Sequence, residues 1–93
     1  MITSTSIKVR TGTIIWKMVI DGVMQDVLHR EDGPAIEYVN GDRAYYQHNL
    51  LHRLDGPAFH HISGYGAWYY QGQRLDCETQ EEFETLLKLK AFW

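Results

Sequence analysis

His29-Arg30-Glu31-Asp32 and His52-Arg53-Leu54-Asp55 each place an imidazole, a guanidinium and a carboxylate within four residues. Histidine beside a carboxylate is the pairing that general acid–base catalysis uses. Arginine adds a two-pronged grip on a phosphate or carboxylate. Both arrays continue through Gly-Pro-Ala, and the second starts 23 positions after the first. An active site normally occurs once, so the recurrence favours a scaffold role. Arg and Asp two residues apart on an extended segment face the same way. Their spacing predicts a bidentate ion pair across each corner. The histidine is expected to hydrogen-bond a carbonyl of a neighbouring turn. His29, Arg30, Asp32, Gly33 and Pro34, with His52, Arg53, Asp55, Gly56 and Pro57, are therefore assigned to turn bracing. Arg30 and Arg53 are kept as candidates for binding an anion.

Other chemistries are weaker. Histidines 29, 48, 52, 60 and 61 raise a metal site. Zinc needs three or four converging ligands, whereas His60 and His61 point to opposite faces of a strand and Cys77 has no second cysteine. No metal and no cofactor is expected. No phosphate loop or nucleophile elbow occurs, so no catalytic residue is assigned. Tyr45, Tyr46, Trp68, Tyr69 and Tyr70 predict an aromatic ladder between stacked strands, or anchors at a protein interface. Base stacking would need a basic groove. The net charge of −3 argues against nucleic acid. Trp93 is added as a candidate binding residue. The carboxylates from Asp76 to Glu84 read as a solvated helix face.

The elements that must position these residues follow from the period. Laying residues 29–51 over 52–74 gives nine identities. A fixed period of this length signals stacked supersecondary units. Strands are expected from Thr13 to Tyr70: residues 13–20, a turn at Asp21-Gly22, then residues 23–28. Asp32-Gly33-Pro34 makes a corner. Residues 34–39 form the next strand, and Asn40-Gly41 is a two-residue hairpin signal. Arg43 to Gln47 pairs back, and His48-Asn49 turns the chain. The cycle repeats through Phe59 to Ile62, Ser63-Gly64, Ala67 to Tyr70 and Gln71-Gly72. Upstream, residues 12–28 read as a variant half repeat, with an insertion at Val23 to Val27 before His29. Downstream, Leu75-Asp76 stands where His-Arg should be. Thr79 and Glu82 fit a capping box for a helix from Gln80 to about Lys90, with Phe83, Leu86 and Leu87 on its inner face. The expected fold is mainly β (α+β). It is one domain over residues 1–93, with antiparallel meander or β-hairpin repeats over 12–76 and a capping helix over 79–91.

Bulk properties narrow the setting. The 93 residues hold one core. A hydrophobic share of 44% excludes wholesale disorder. A single cysteine excludes an internal disulfide. Residues 1–6 lack the basic-then-apolar pattern of a secretory signal. No apolar run approaches the length of a membrane span. The expectation is a soluble protein of a reducing, cytoplasmic compartment.

Leu28 to Ala35 and Leu51 to Ala58, alternating with Asn40 to Tyr46 and Ala67 to Gly72, carry a resemblance. The pattern resembles a repeat of tailed bacteriophages, some large viruses and protists, in which His-Arg-x-Asp-Gly-Pro-Ala alternates with Trp-Tyr-x-Asn-Gly. More loosely it is similar to MORN repeats and their antitoxin-like relatives. The resemblance covers the central two thirds of the chain. It implies β-hairpin repeats and a phage source, and no defined chemistry. The expectation is a small non-enzymatic phage-type protein that binds and modulates or inhibits a host protein, a defence protein included, in the host cytoplasm. A sponge for an anionic nucleotide, built on Arg30 and Arg53, is the first alternative. A structural virion component is the second. A homodimer through an open sheet edge or the Phe92-Trp93 tail fits all three.

Overall fold

Two kinds of turn alternate along the chain, and each is set by which residues tolerate positive φ. Asp21-Gly22, His48-Asn49 and Gln71-Gly72 each place two successive residues there, with φ of 50° and 81°, 50° and 68°, and 48° and 83°. Two successive left-handed residues make the type I′ hairpin turn, whose twist suits antiparallel strands. These turns join β2 (Ile14–Ile20) to β3 (Val23–Leu28), β6 (Tyr46–Gln47) to β7 (Leu50–Leu51), and β10 (Tyr69–Tyr70) to β11 (Gln73–Arg74).

The second kind corrects the two-residue hairpin expected at Asn40-Gly41. Only Gly41 is left-handed, at φ 99°, as are Gly12 and Gly64 at 98° and 99°. Tyr38 N–H donates to the Asp42 carbonyl at 2.9 Å, and Gly41 N–H donates to the Tyr38 carbonyl at 2.9 Å. This is a three-residue loop closed by a glycine bulge. Asn40 has no positive φ, and its side-chain oxygen accepts from the Asp42 N–H at 3.1 Å. The same pair of bonds recurs around Gly12 and Gly64.

The computed structural model describes residues 1–89. The Phe92-Trp93 tail and residues 90–91 at the end of the expected helix lie outside the described residues. Strands β1 (Ile2–Lys8), β2, β4 (Ile36–Glu37), β5 (Arg43–Ala44), β8 (Phe59–His60) and β9 (Gly66–Ala67) pair in that order as one antiparallel meander. The three type I′ hairpins project from its side.

Arg43 to Gln47 is therefore not one strand, as expected. It splits at Tyr45, whose N–H donates to the Ala58 carbonyl at 2.7 Å while its carbonyl accepts from His52 N–H at 2.9 Å. Residues before Tyr45 pair within the meander, and those after it pair within the lateral hairpin. Trp16 and Trp68 are the equivalent pivots, accepting from His29 N–H at 3.1 Å and Leu75 N–H at 2.9 Å. In the first unit the lateral hairpin is longer. Lys17 pairs with Leu28 where Tyr46 pairs with Leu51, so the insertion is shared between β2 and β3 rather than confined to residues 23–27.

β1 was not foreseen. It pairs with β2 along its whole length, from Ile2↔Ile20 to Lys8↔Ile14.

Register sets the packing. One row across the meander runs Ile7, Ile15, Ile36, Ala44, Phe59, Ala67. The neighbouring row, on the opposite face, runs Lys8, Ile14, Glu37, Arg43, His60, Gly66. Alternating large and small side chains lets Ala44 and Ala67 bury fully beside Ile36 and Phe59. The slab measures 38 × 32 × 16 Å. Helix α1 (Gln80–Leu89) lies against the last unit, where buried Phe83 meets Trp68 and Leu75, with Leu86 and Leu87 beside them. Thr79 Oγ1 accepts from Glu82 N–H at 3.1 Å, as a capping box requires. The Glu82 carboxylate reaches Glu78 N–H at 3.1 Å, one residue before the cap. No helix among the described residues is long and apolar enough to cross a membrane.

Candidate functional site

Each Asp-Gly-Pro corner is closed by its arginine, and the two corners match atom for atom. Arg30 Nε donates to Asp32 Oδ1 at 3.2 Å and Nη1 donates to the Pro34 carbonyl at 3.2 Å. Arg53 Nε donates to Asp55 Oδ1 at 2.9 Å and Nη1 donates to the Pro57 carbonyl at 3.2 Å. The expected bidentate pair is thus replaced by a split fork. The carbonyl after Gly is left without a strand partner by the corner, and the guanidinium satisfies it. The planar head then stacks on the preceding pivot. Arg30 Cζ lies 3.9 Å from the Trp16 ring centroid, and Arg53 Cζ lies 4.0 Å from that of Tyr45.

The histidines correct a second expectation. Each accepts a bond rather than donating to a carbonyl. His29 Nδ1 accepts from His48 N–H, and His52 Nδ1 accepts from Gln71 N–H, both at 3.0 Å. The type I′ turn leaves that amide without a strand partner, and the ring nitrogen supplies one. Accepting at Nδ1 puts the proton on Nε2. In the first unit Nε2 of buried His29 faces Glu31 Oε1 at 3.6 Å. In the second unit Leu54 replaces that carboxylate, and burial pushes the His52 pKa down.

Arg30 and Arg53 both line one cleft of about 430 Å³, between the corners, with Tyr45 and His52. Glu31, Asp32 and Asp55 line it too, so its three carboxylates outnumber its guanidiniums. Among the described residues no three His, Cys, Asp or Glu side chains converge as a metal would need.

The aromatic ladder takes another form. Ring faces meet guanidiniums: Tyr45 is covered by Arg53. Trp68 is buried in the core, and its Nε1 donates to Gln80 Oε1 at 2.8 Å. Gln80 Nε2 donates onward to the Leu54 carbonyl at 2.8 Å. The helix thereby occupies the place where a third arginine would stack. Tyr46 and Tyr69 are half-buried, and burial raises the Tyr46 pKa. Tyr70 is half-buried against the helix cluster.

One surface escaped the sequence reading. Val39 and Ile62 are 69% and 57% exposed, at equivalent places in the glycine-bulge turns. Each lies over the glycine of the preceding turn, Val39 on Gly12 and Ile62 on Gly41. Tyr38 and Tyr65 are also exposed, and the Tyr65 hydroxyl accepts from Arg74 Nη2 at 2.7 Å. The signal was present: an aliphatic residue precedes Asn40-Gly41 and Ser63-Gly64 alike, where a polar residue would suffice.

No family model, curated protein or solved structure matched the chain in comparison.

Proposed function

We propose that this chain is a non-enzymatic interaction scaffold that binds and modulates or inhibits a protein partner. The repeat resemblance makes that partner a host protein of a bacteriophage. One observation carries the reading: the side chains with catalytic character make the same backbone-bracing bonds in both units. Groups committed twice over to turns are poor candidates for acid–base work. What the slab offers outward at its glycine-bulge turns is the exposed pair Val39 and Ile62, with Tyr38 and Tyr65 also exposed. Exposed aliphatic and aromatic side chains suit a protein interface. The test is a pull-down from host lysate with wild type and a Val39→Asp/Ile62→Asp variant, read by mass spectrometry. A stoichiometric partner captured by wild type and lost from the folded variant supports the reading. Recovery of no partner, or equal recovery by both, overturns it.

The cleft between Arg30 and Arg53 favours a second reading, an anionic small-molecule binder. Thermal-shift screening against nucleotides separates the two, because a ligand of the folded state raises the melting temperature.

A further inference from the structure

The two ends of the meander are finished differently. At the C-terminal end, β9 is two residues long, and the chain leaves it at Trp68, which helix α1 covers. At the N-terminal end, β1 presents a seven-residue edge. Its register fixes which groups face outward. Asp21 N–H donates to the Met1 carbonyl at 3.4 Å, and Val9 N–H donates to the Thr13 carbonyl at 2.9 Å. Odd-numbered residues of β1 therefore turn their N–H and C=O toward β2. The N–H and C=O of Ile2, Ser4, Ser6 and Lys8 turn away from it, and β1 pairs with no other described strand.

Natural edges are blunted by proline, bulges or inward charges. β1 has no proline, pairs with β2 without a register shift, and carries no charge before Lys8. Its side chains are exposed apart from half-buried Ser4.

We propose that β1 pairs antiparallel with β1 of a second copy of this chain about a two-fold axis at Thr5, joining two meanders into one sheet. This contact uses a different edge from the turns that carry Val39 and Ile62 and leaves them free. Register selects a second copy as occupant. Outward-facing residues must oppose outward-facing residues in an antiparallel ladder. Full overlap of residues 2–8 opposes Ile2 to Lys8 and Ser4 to Ser6, all outward-facing, and leaves Thr5 opposite Thr5. The longest self-pairing is thus the one that hydrogen-bond geometry permits. The lone charge of each strand, Lys8, meets Ile2 rather than its own copy. A two-fold contact demands this self-complementarity.

Light scattering and sedimentation on the full chain test the proposal. Wild type is expected to move from monomer to dimer over about a hundredfold rise in concentration. Ser6→Pro deletes only an outward N–H, so it keeps the monomer's circular dichroism and removes the dimer. Thr5→Cys supplies a second readout. Its two copies form a non-hydrogen-bonded pair with Cα atoms about 4.5 Å apart, within disulfide reach. Mild oxidation links Thr5→Cys into a covalent dimer, whereas Thr3→Cys, opposite Ile7, and wild type with Cys77 stay unlinked. A wild-type monomer at every concentration overturns the proposal. So does a dimer indifferent to Ser6→Pro, or Thr5→Cys linking no faster than Thr3→Cys.

Discussion

A Cβ on Gly33 would lie 2.8 Å from Cζ of Arg30, and a Cβ on Gly56 the same 2.8 Å from Cζ of Arg53. Glycine stands there because the guanidinium lies directly on the backbone while it stacks on the pivot ring. Gly33→Ala must push Arg30 off its carbonyl, its carboxylate or its ring. A loss of about 1–3 kcal/mol is expected, as for overpacking elsewhere, which a domain this size registers as a fall in melting temperature of roughly 4–8 °C per kcal/mol. Arg30→Ala combined with Gly33→Ala should lose little more than Arg30→Ala alone. Fully additive losses would show that the glycine acts for another reason.

His52 predicts a pH dependence. Burial lowers its folded pKa below the ordinary histidine value of 6.5, and its Nδ1 must stay unprotonated to accept from Gln71 N–H. Between the folded value and 6.5 the unfolded chain binds more protons, so stability rises with pH. The contribution is complete above about pH 6.5 and is lost as pH falls through the folded pKa. His52→Asn keeps an acceptor near the Nδ1 position and cannot protonate. Melting curves from pH 4 to 8 should show a shallower slope for that variant than for wild type, on the order of one titrating group. Parallel slopes would remove His52 as the cause.

Gln80 joins the helix to two places in the second unit at once, the Trp68 pivot and the Leu54 corner. Gln80→Ala leaves the Trp68 indole N–H and the Leu54 carbonyl without their partner. Each orphaned group costs about 1–3 kcal/mol if it stays dry. Hydrogen exchange is expected to rise first in helix α1 and at Leu75, and least in β1. Uniform acceleration along the chain would mean that the helix is not a separable cap.

Cys77 should be a slow thiol. Burial raises its pKa above 9.0, and the carboxylates of Glu82 and Asp76 add to the rise. Thiolate is the reactive form. Alkylation at pH 8 is expected to run at least several-fold slower on the native chain than in denaturant. Equal rates would place the thiol in open solvent.

The period, the positions of the turns and the capped helix could be read from residue types alone, but not the two kinds of turn, since Asn40-Gly41 looks like a two-residue hairpin and forms a three-residue bulged loop. Gly, Asn and Asp at fixed intervals announce where the chain turns, and Thr79 with Glu82 announces the helix. Strand β1 was missed because Thr3, Ser4, Thr5 and Ser6 show no apolar alternation. Their pairing partner, β2, lies beyond a turn whose only marker is Gly12. The break at Tyr45 was hidden because β-propensity is continuous across Arg43 to Gln47. A pivot that divides its N–H and C=O between two partners is a property of topology, not of residue type. The split arginine fork was equally hidden, since the spacing of Arg and Asp is satisfied by one bond as well as by two. The direction of the histidine bonds depends on a ring tautomer, which no spacing encodes.

The stacking of Arg30 on Trp16 and of Arg53 on Tyr45, ended by Gln80 at Trp68, gives the chain a head and a tail. Each unit presents a ring to the unit after it and a guanidinium to the unit before it. Growth is therefore possible only ahead of the glutamine terminator, and the number of units is independent of both ends. A further copy of residues 29–51 spliced in after Leu51 would meet a ring on one side and a guanidinium on the other. It would lengthen the slab by two inter-strand spacings, about 9.5 Å, so this architecture comes in discrete sizes rather than a continuum.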